Sequence, residues 1–346
     1  MQDRVDGAKA KRGVLLALSL GILAIAVVMA FTFDMDTLDA LRGVKPAYLG
    51  LAVTAVFISW IFSSLAFYVL TRVIKNPISL VASGRVHLAG SFFGLITPFG
   101  SGLLPTQIYL LSKERLSPGQ ATAIASARVM TSTWLFAVIG TTILITFKSS
   151  LPGVIGTNMM LAVIAVAIVW SALALYFVKR PDGAKAMVAR FVANRFVSMW
   201  LKKGLRERIE GKIDHEIENL SSNLRDVLSP ANFLALAIVL ACEVAAWVAL
   251  FSVLPLVLFG LGWKGSFATL VFRMFLVFCL IPASPTPGGS GVVELGFSGL
   301  LYGAVPSHTI GIVVLIWRAL TYYLTLLTGS IIAIRFFARS ADTTSA

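Results

Sequence analysis

Apolar residues run along this chain in long blocks, divided by short stretches that carry Lys, Arg, Pro or Gly. Val14 to Phe33, Tyr48 to Leu70 and Met159 to Val178 are the cleanest blocks. Each is at least about the 20 residues a helix needs to cross a hydrocarbon core roughly 30 Å thick. Further crossings are expected at Ala121 to Phe147, Phe233 to Phe259 and Ile310 to Phe337. Two other apolar segments, about 79–112 and 267–303, are broken by Pro and Gly near their middles and read as helix, break, helix.

Basic residues orient these elements, because short loops rich in Lys and Arg stay cytoplasmic. Arg4, Lys9, Lys11 and Arg12 place the N-terminus inside, and Arg72, Lys75, Lys113 and Arg115 place both ends of the first broken segment there too. That segment is therefore expected to be a re-entrant hairpin. Arg335 and Arg339 put the end of the last crossing inside, which leaves segment 267–303 entering and leaving from outside. The expected fold class is an all-α polytopic membrane protein. It is an inverted repeat of three spanning helices plus one re-entrant helical hairpin per half, with both termini cytoplasmic in the cell membrane. The boundaries are 1–178 for the first membrane repeat, 179–229 for a cytoplasmic basic amphipathic segment, 230–339 for the second repeat core, and 340–346 for a tail.

Composition agrees with the blocks. At 58% hydrophobic, 13% charged and mean hydropathy +0.88, the apolar surface exceeds what a soluble domain of 346 residues hides. The opening MQDRVDGAKAKRG resembles a signal-peptide flank, but no small-residue cleavage site follows, so a retained first helix is expected. Cys242 and Cys279 both lie in apolar segments, which gives no support to disulfides or thiolate metal sites. The net charge of +13 follows from positive-inside topology, so nucleic acid is not an expected partner. Residues 179–228 carry apolar Met187, Val188, Phe191, Val192, Phe196 and Trp200 among basic positions, a pattern for a helix lying on an anionic lipid surface.

The breaks carry the candidate chemistry. "PFGSG" at Pro98 to Gly102 resembles "PGGSG" at Pro287 to Gly291. Arg85 and Arg273 stand 13 and 14 residues before the leading prolines, and Arg128 and Arg318 stand 30 and 31 after them. Paired Pro/Gly-interrupted segments in two halves point to a transporter with its site between the halves. Backbone N–H groups freed at the breaks, at Ser101, Gly102, Gly288, Gly289 and Gly291, are expected to attract anions. No Lys-Ser/Thr follows the glycines, so a nucleotide-binding loop is a poorer reading. Arg128 and Arg318 sit near the expected midplane, where an arginine needs a partner or water. With Glu243 and Glu294 as the only deep carboxylates, Arg85, Arg128, Arg273 and Arg318 are expected to leave a cationic cavity for phosphate or carboxylate. Two structural ion pairs with two snorkelling arginines is the alternative. Glu243 and Glu294 are also candidate proton carriers.

On "PTPGGSGVVE", "WRALTYYLTLLTG" and "ITPFGSGLLPTQIYLLSKERLSPGQATAIASARV", the chain resembles the lysylphosphatidylglycerol synthase transmembrane region family over most of its length. Pro287, Gly288, Gly289, Gly291 and Glu294 match the family's Pro-Gly-Gly-x-Gly-x-x-Glu signature, and Arg318 and Arg128 match its helix arginines. The first break departs from the family pattern at Gly102, Leu103 and Gln107. The resemblance implies a flippase for an anionic-headgroup lipid (phospholipid, aminoacylated phospholipid or polyprenyl phosphate) without the synthetase domain. Membrane lipids are then the partners, no cofactor or metal is expected, and a homo-oligomer is compatible. The rival reading is a membrane-embedded transferase using a polyprenyl-phosphate donor, with Asp34 and Asp36 holding a divalent cation. His87, His215 and His308 fall in different segments and add no cluster to it.

Overall fold

A computed structural model describes residues 43–146, 153–193, 213–280, 284–301, 305 and 307–342. The expected first crossing, Val14 to Phe33, and the Asp34/Asp36 pair lie outside the described residues. The described chain is helical, with no strand. Its helices, in order, are α1 (Pro46–Val73), α2 (Leu80–Ile96), α3 (Leu103–Lys113), α4 (Pro118–Thr146), α5 (Gly153–Lys179) and α6 (Pro181–Ala193). Then follow α7 (Ile213–Val227), α8 (Phe233–Gly260), α9 (Phe267–Leu280), α10 (Val292–Leu301), α11 (Ser307–Arg318) and α12 (Leu324–Asp342).

Local sequence sets these boundaries. Pro46 at the first position of α1 brings a backbone angle already suited to a helix and gives up an N–H that would have had no helical partner. Ser79 caps α2 by accepting a hydrogen bond from the Ala82 N–H at 3.1 Å. The 28 residues of α1 and of α8 each rise about 42 Å, more than a bilayer core requires. Four described helices are long and apolar enough to cross a membrane: Pro46–Val73, Pro118–Thr142, Pro230–Gly260 and Thr309–Phe336. A fifth apolar stretch, Ile164–Lys179, bends by 114° into Pro181–Met187. The protein is a multi-pass membrane protein.

Packing ties helices from the two halves of the described chain together. α1 lies along most of α8, and the cluster around Trp60, Phe251, Leu254, Leu258, Phe275 and Trp317 draws on helices from both halves of the chain. A second cluster, with Phe67, Leu70, Leu110, Leu111 and Ile124, holds the first broken segment. α2 packs on α12 so closely that a Cβ at Gly329 would stand 2.5 Å from the Leu88 carbonyl oxygen. Small residues are what allow backbones to approach like this where no water is present to drive association.

At the end of the segment expected on a lipid surface, α7 has protein neighbours. The apolar face of α7, with buried Ile217, Leu224 and Val227, packs on α4, α5 and α6. Protein covers that face. Val188, Phe191, Val192, Phe196 and Trp200 have side chains outside the described set.

Candidate functional site

The two breaks repeat one turn. In each, a Thr carbonyl accepts from a Gly N–H three residues on (Gly100 to Thr97, 3.2 Å; Gly289 to Thr286, 3.1 Å). In each, a Ser N–H donates to the Pro carbonyl (Ser101 to Pro98, 3.1 Å; Ser290 to Pro287, 3.2 Å). The residue after the proline is left-handed in both: Phe99 has φ 55, ψ 15 and Gly288 has φ 61, ψ 16. The turns also touch, because the Phe99 N–H donates to the Ser284 carbonyl at 3.3 Å. They diverge at the serine, where Ser101 is helical and Ser290 extended. Gly291, with φ 89, then makes the extra bend that starts α10.

Side chains secure each turn. Thr97 Oγ1 donates to the Phe93 carbonyl at 2.7 Å and accepts from the Gly102 N–H at 2.8 Å. Thr286 Oγ1 donates to the Ser290 carbonyl at 2.6 Å. Glu294, at the third position of α10, reaches back to accept the Gly291 N–H at 2.7 Å. This is the glutamate half of a capping box. The N–H groups of Ser101, Gly102, Gly289 and Gly291, expected to face a ligand, therefore donate inside the protein.

Arg318 closes the second break. Its Nη1 donates to the Gly288 carbonyl at 3.1 Å, and its Nε lies 2.8 Å from Glu294 Oε1. The latter N–H does not point along the line between the atoms, so the contact is ionic rather than a formed hydrogen bond. Arg318 is 3% exposed and Glu294 is fully buried. Tyr322 stacks on the guanidinium at 4.9 Å, and its ring sits where a Gly288 Cβ would be, 2.1 Å away. The five-residue π-helical turn Ala319–Tyr323 sets Tyr322 there, and such turns favour functional sites. After these contacts, Nη2 of Arg318 is buried with no hydrogen-bond partner among the described residues.

Arg128 is held by the other half of the chain. Its Nε donates to Glu243 Oε1 at 2.8 Å, joining α4 to α8, and its guanidinium lies over the Phe67 ring at 4.5 Å. Arg85 pairs with Glu114 at 2.9 Å and is 36% exposed, close to the snorkelling alternative. Arg273 is half-buried beside Leu254, Met274 and Phe297. The expected surplus of buried cations is thus corrected for three of the four arginines, each of which has its own carboxylate. The count from sequence omitted Glu114, which lies just past the end of α3 and folds back toward the start of α2. Among the described residues no cluster of three or more His, Cys, Asp or Glu could hold a metal.

A family model for the lysylphosphatidylglycerol synthase transmembrane region matches residues 15–329. The chain belongs to that family. Among curated relatives, a UPF0104 membrane protein of Archaeoglobus fulgidus is 22% identical over 328 residues, covering 92% of this chain and 95% of the relative. A UPF0104 membrane protein of Methanothermobacter thermautotrophicus is 24% identical over 280 residues, covering 80% and 81%. No solved structure matches.

For this family member, sequence reasoning missed several positions. Glu216 of α7 accepts the Gly119 N–H at 2.7 Å, so it caps α4, the helix that carries Arg128. Thr97 and Thr286 hold the breaks. Their signal was visible as the Thr preceding Pro in both motifs. Gln107, read from the sequence as a departure from the family pattern, is buried against Gly90, with no hydrogen-bond partner for its Nε2 among the described residues.

Proposed function

We propose that this protein moves an anionic-headgroup lipid across the membrane as a flippase, acting as a transporter rather than an enzyme. The lipid classes in view are a phospholipid, an aminoacylated phospholipid and a polyprenyl phosphate. The observation that carries the reading is Arg318: a guanidinium 3% exposed, tied to a broken backbone through Gly288, with no partner for Nη2 among the described residues. A buried donor set of this kind is costly unless something accepts from it, and a planar fork suits two phosphate oxygens. Glu294 orients the guanidinium from its capping position. Membership of the family supports a lipid-related role. In this reading the two broken segments are re-entrant hairpins of an inverted repeat, entering from opposite faces with both chain termini cytoplasmic, and their tips meet at the Phe99 to Ser284 contact.

The test is translocation of fluorescent phosphatidylglycerol in reconstituted vesicles. Arg318→Lys keeps a charge beside Glu294 but loses the fork, so the rate should fall about 10-fold, equivalent to roughly one charged hydrogen bond. Arg318→Gln should fall further. The double variant R318Q/E294Q, which leaves no unpaired buried charge, should insert normally and remain inactive. Full transport by that double variant would place the headgroup site elsewhere.

A further inference from the structure

The motifs PFGSG and PGGSG differ in one residue, Phe99 in the first and Gly288 in the second. Gly288 has no room for a side chain, because Tyr322 fills the space and Arg318 holds its carbonyl. Phe99 occupies the same left-handed position in the first break, where an L-aromatic residue is strained and glycine would fit freely. Phe99 is 58% exposed among the described residues, although its backbone is fastened to the second break through Ser284. The fold thus tolerates an unfavourable residue at the point where the breaks meet, and the described residues leave more than half of that residue uncovered. The amides of this first turn are spent on Thr97, Pro98 and Ser284. What the first turn offers is an apolar ring.

We propose that Phe99 is the tail-contact residue of the transport site: its ring packs against the first carbons of the apolar chain of the lipid whose phosphate Arg318 receives. This rests on the flippase reading above and divides the work between the breaks. The second binds the headgroup by charge, and the first recognises the start of the hydrocarbon by contact. An aromatic face gives such a chain contact area without demanding a particular structure. Phe99 therefore selects for a headgroup joined to an apolar chain over the free phosphate compound.

Two experiments in phosphatidylglycerol nanodiscs and vesicles decide it. First, Phe99→p-benzoylphenylalanine is photolysed and the phosphatidylglycerol adduct is quantified with and without Arg318→Lys. A ring that meets the bound lipid should lose most of its adduct when Arg318 is changed, whereas an unchanged yield means the ring faces bulk bilayer and overturns the proposal. Second, Phe99→Gly, which relieves the backbone strain, should slow phosphatidylglycerol translocation roughly 5- to 10-fold, as expected for loss of an aromatic contact. Phe99→Leu should recover most of the rate. Binding of glycerol 3-phosphate to detergent-solubilised protein should be the same in Phe99→Gly as in the parent. Equal translocation by Phe99→Gly and parent overturns the tail contact alone. Full translocation by Arg318→Lys and by R318Q/E294Q overturns the underlying flippase site, whatever Phe99 does.

Discussion

Gly288 and Phe99 show how one backbone conformation serves different ends. An added Cβ at Gly288 would meet the Tyr322 ring at 2.1 Å and sit at φ 61. Gly288→Ala should therefore cost about 2–3 kcal/mol through combined overpacking and backbone strain, read as a lower thermal midpoint in detergent. In a Tyr322→Ala background, which is itself destabilised, the further loss from Gly288→Ala should shrink by the steric part alone, since the left-handed strain stays. Phe99→Gly should leave the midpoint unchanged or raise it, because strain relief of about 1 kcal/mol offsets the greater freedom of an unfolded glycine. The sequence showed both turns, since Pro and Gly punctuation survives without any knowledge of packing. It did not show that the turn amides are consumed internally. That depends on Thr97 and Thr286 side chains, which fit many roles, and on the reach of Glu294 back to Gly291.

Among the elements, the helical docking of α7 at the end of the 179–229 segment was not legible in the sequence. A helix with one apolar face reads the same whether lipid or protein covers it, and the docking on α4 is set by residues about a hundred positions apart. Glu216 places a carboxylate at the first turn of α4, where it satisfies an N–H and faces the positive end of the helix. Glu216→Ala should cost about 1 kcal/mol and speed hydrogen exchange at residues 118–121 while leaving the α8 amides protected. On the same surface, the hydrogen bond from Lys185 to Glu218 at 2.7 Å holds the ammonium pKa above 10.5. A pKa raised by folding contributes stability fully below the unfolded value and loses it as pH rises through the folded one. Protection of α6 should therefore not respond to this lysine between pH 6 and 9, and should weaken only in alkali beyond 10.5. The π-turn at Ala319–Tyr323 carries no Pro or Gly to announce it.

For the whole molecule, the expected orientation is open to labelling from the two sides. In a background lacking Cys242 and Cys279, Ser222→Cys should react from the cytoplasm and Lys264→Cys from outside; both positions are exposed. Same-side reactivity would remove the inverted-repeat reading. Gly119 is unsuited to a probe, since a Cβ there would meet the Glu216 carbonyl oxygen at 2.4 Å. The crossings themselves were readable because length and apolarity are local properties. Charge balance was not, because it depends on which distant acid folds back to which arginine.

Arg128 and Glu243 are 115 residues apart in the chain. A ribosome adding about 5–20 residues per second reaches the glutamate roughly 6–23 s after the arginine. During that interval α4 holds a cation without its partner, at a cost that disfavours release into lipid. The first half should thus linger beside the insertion machinery until α8 is made. Nascent chains stalled after residue 230 should cross-link to the translocation channel through α4, and chains stalled well beyond residue 260 should have left it.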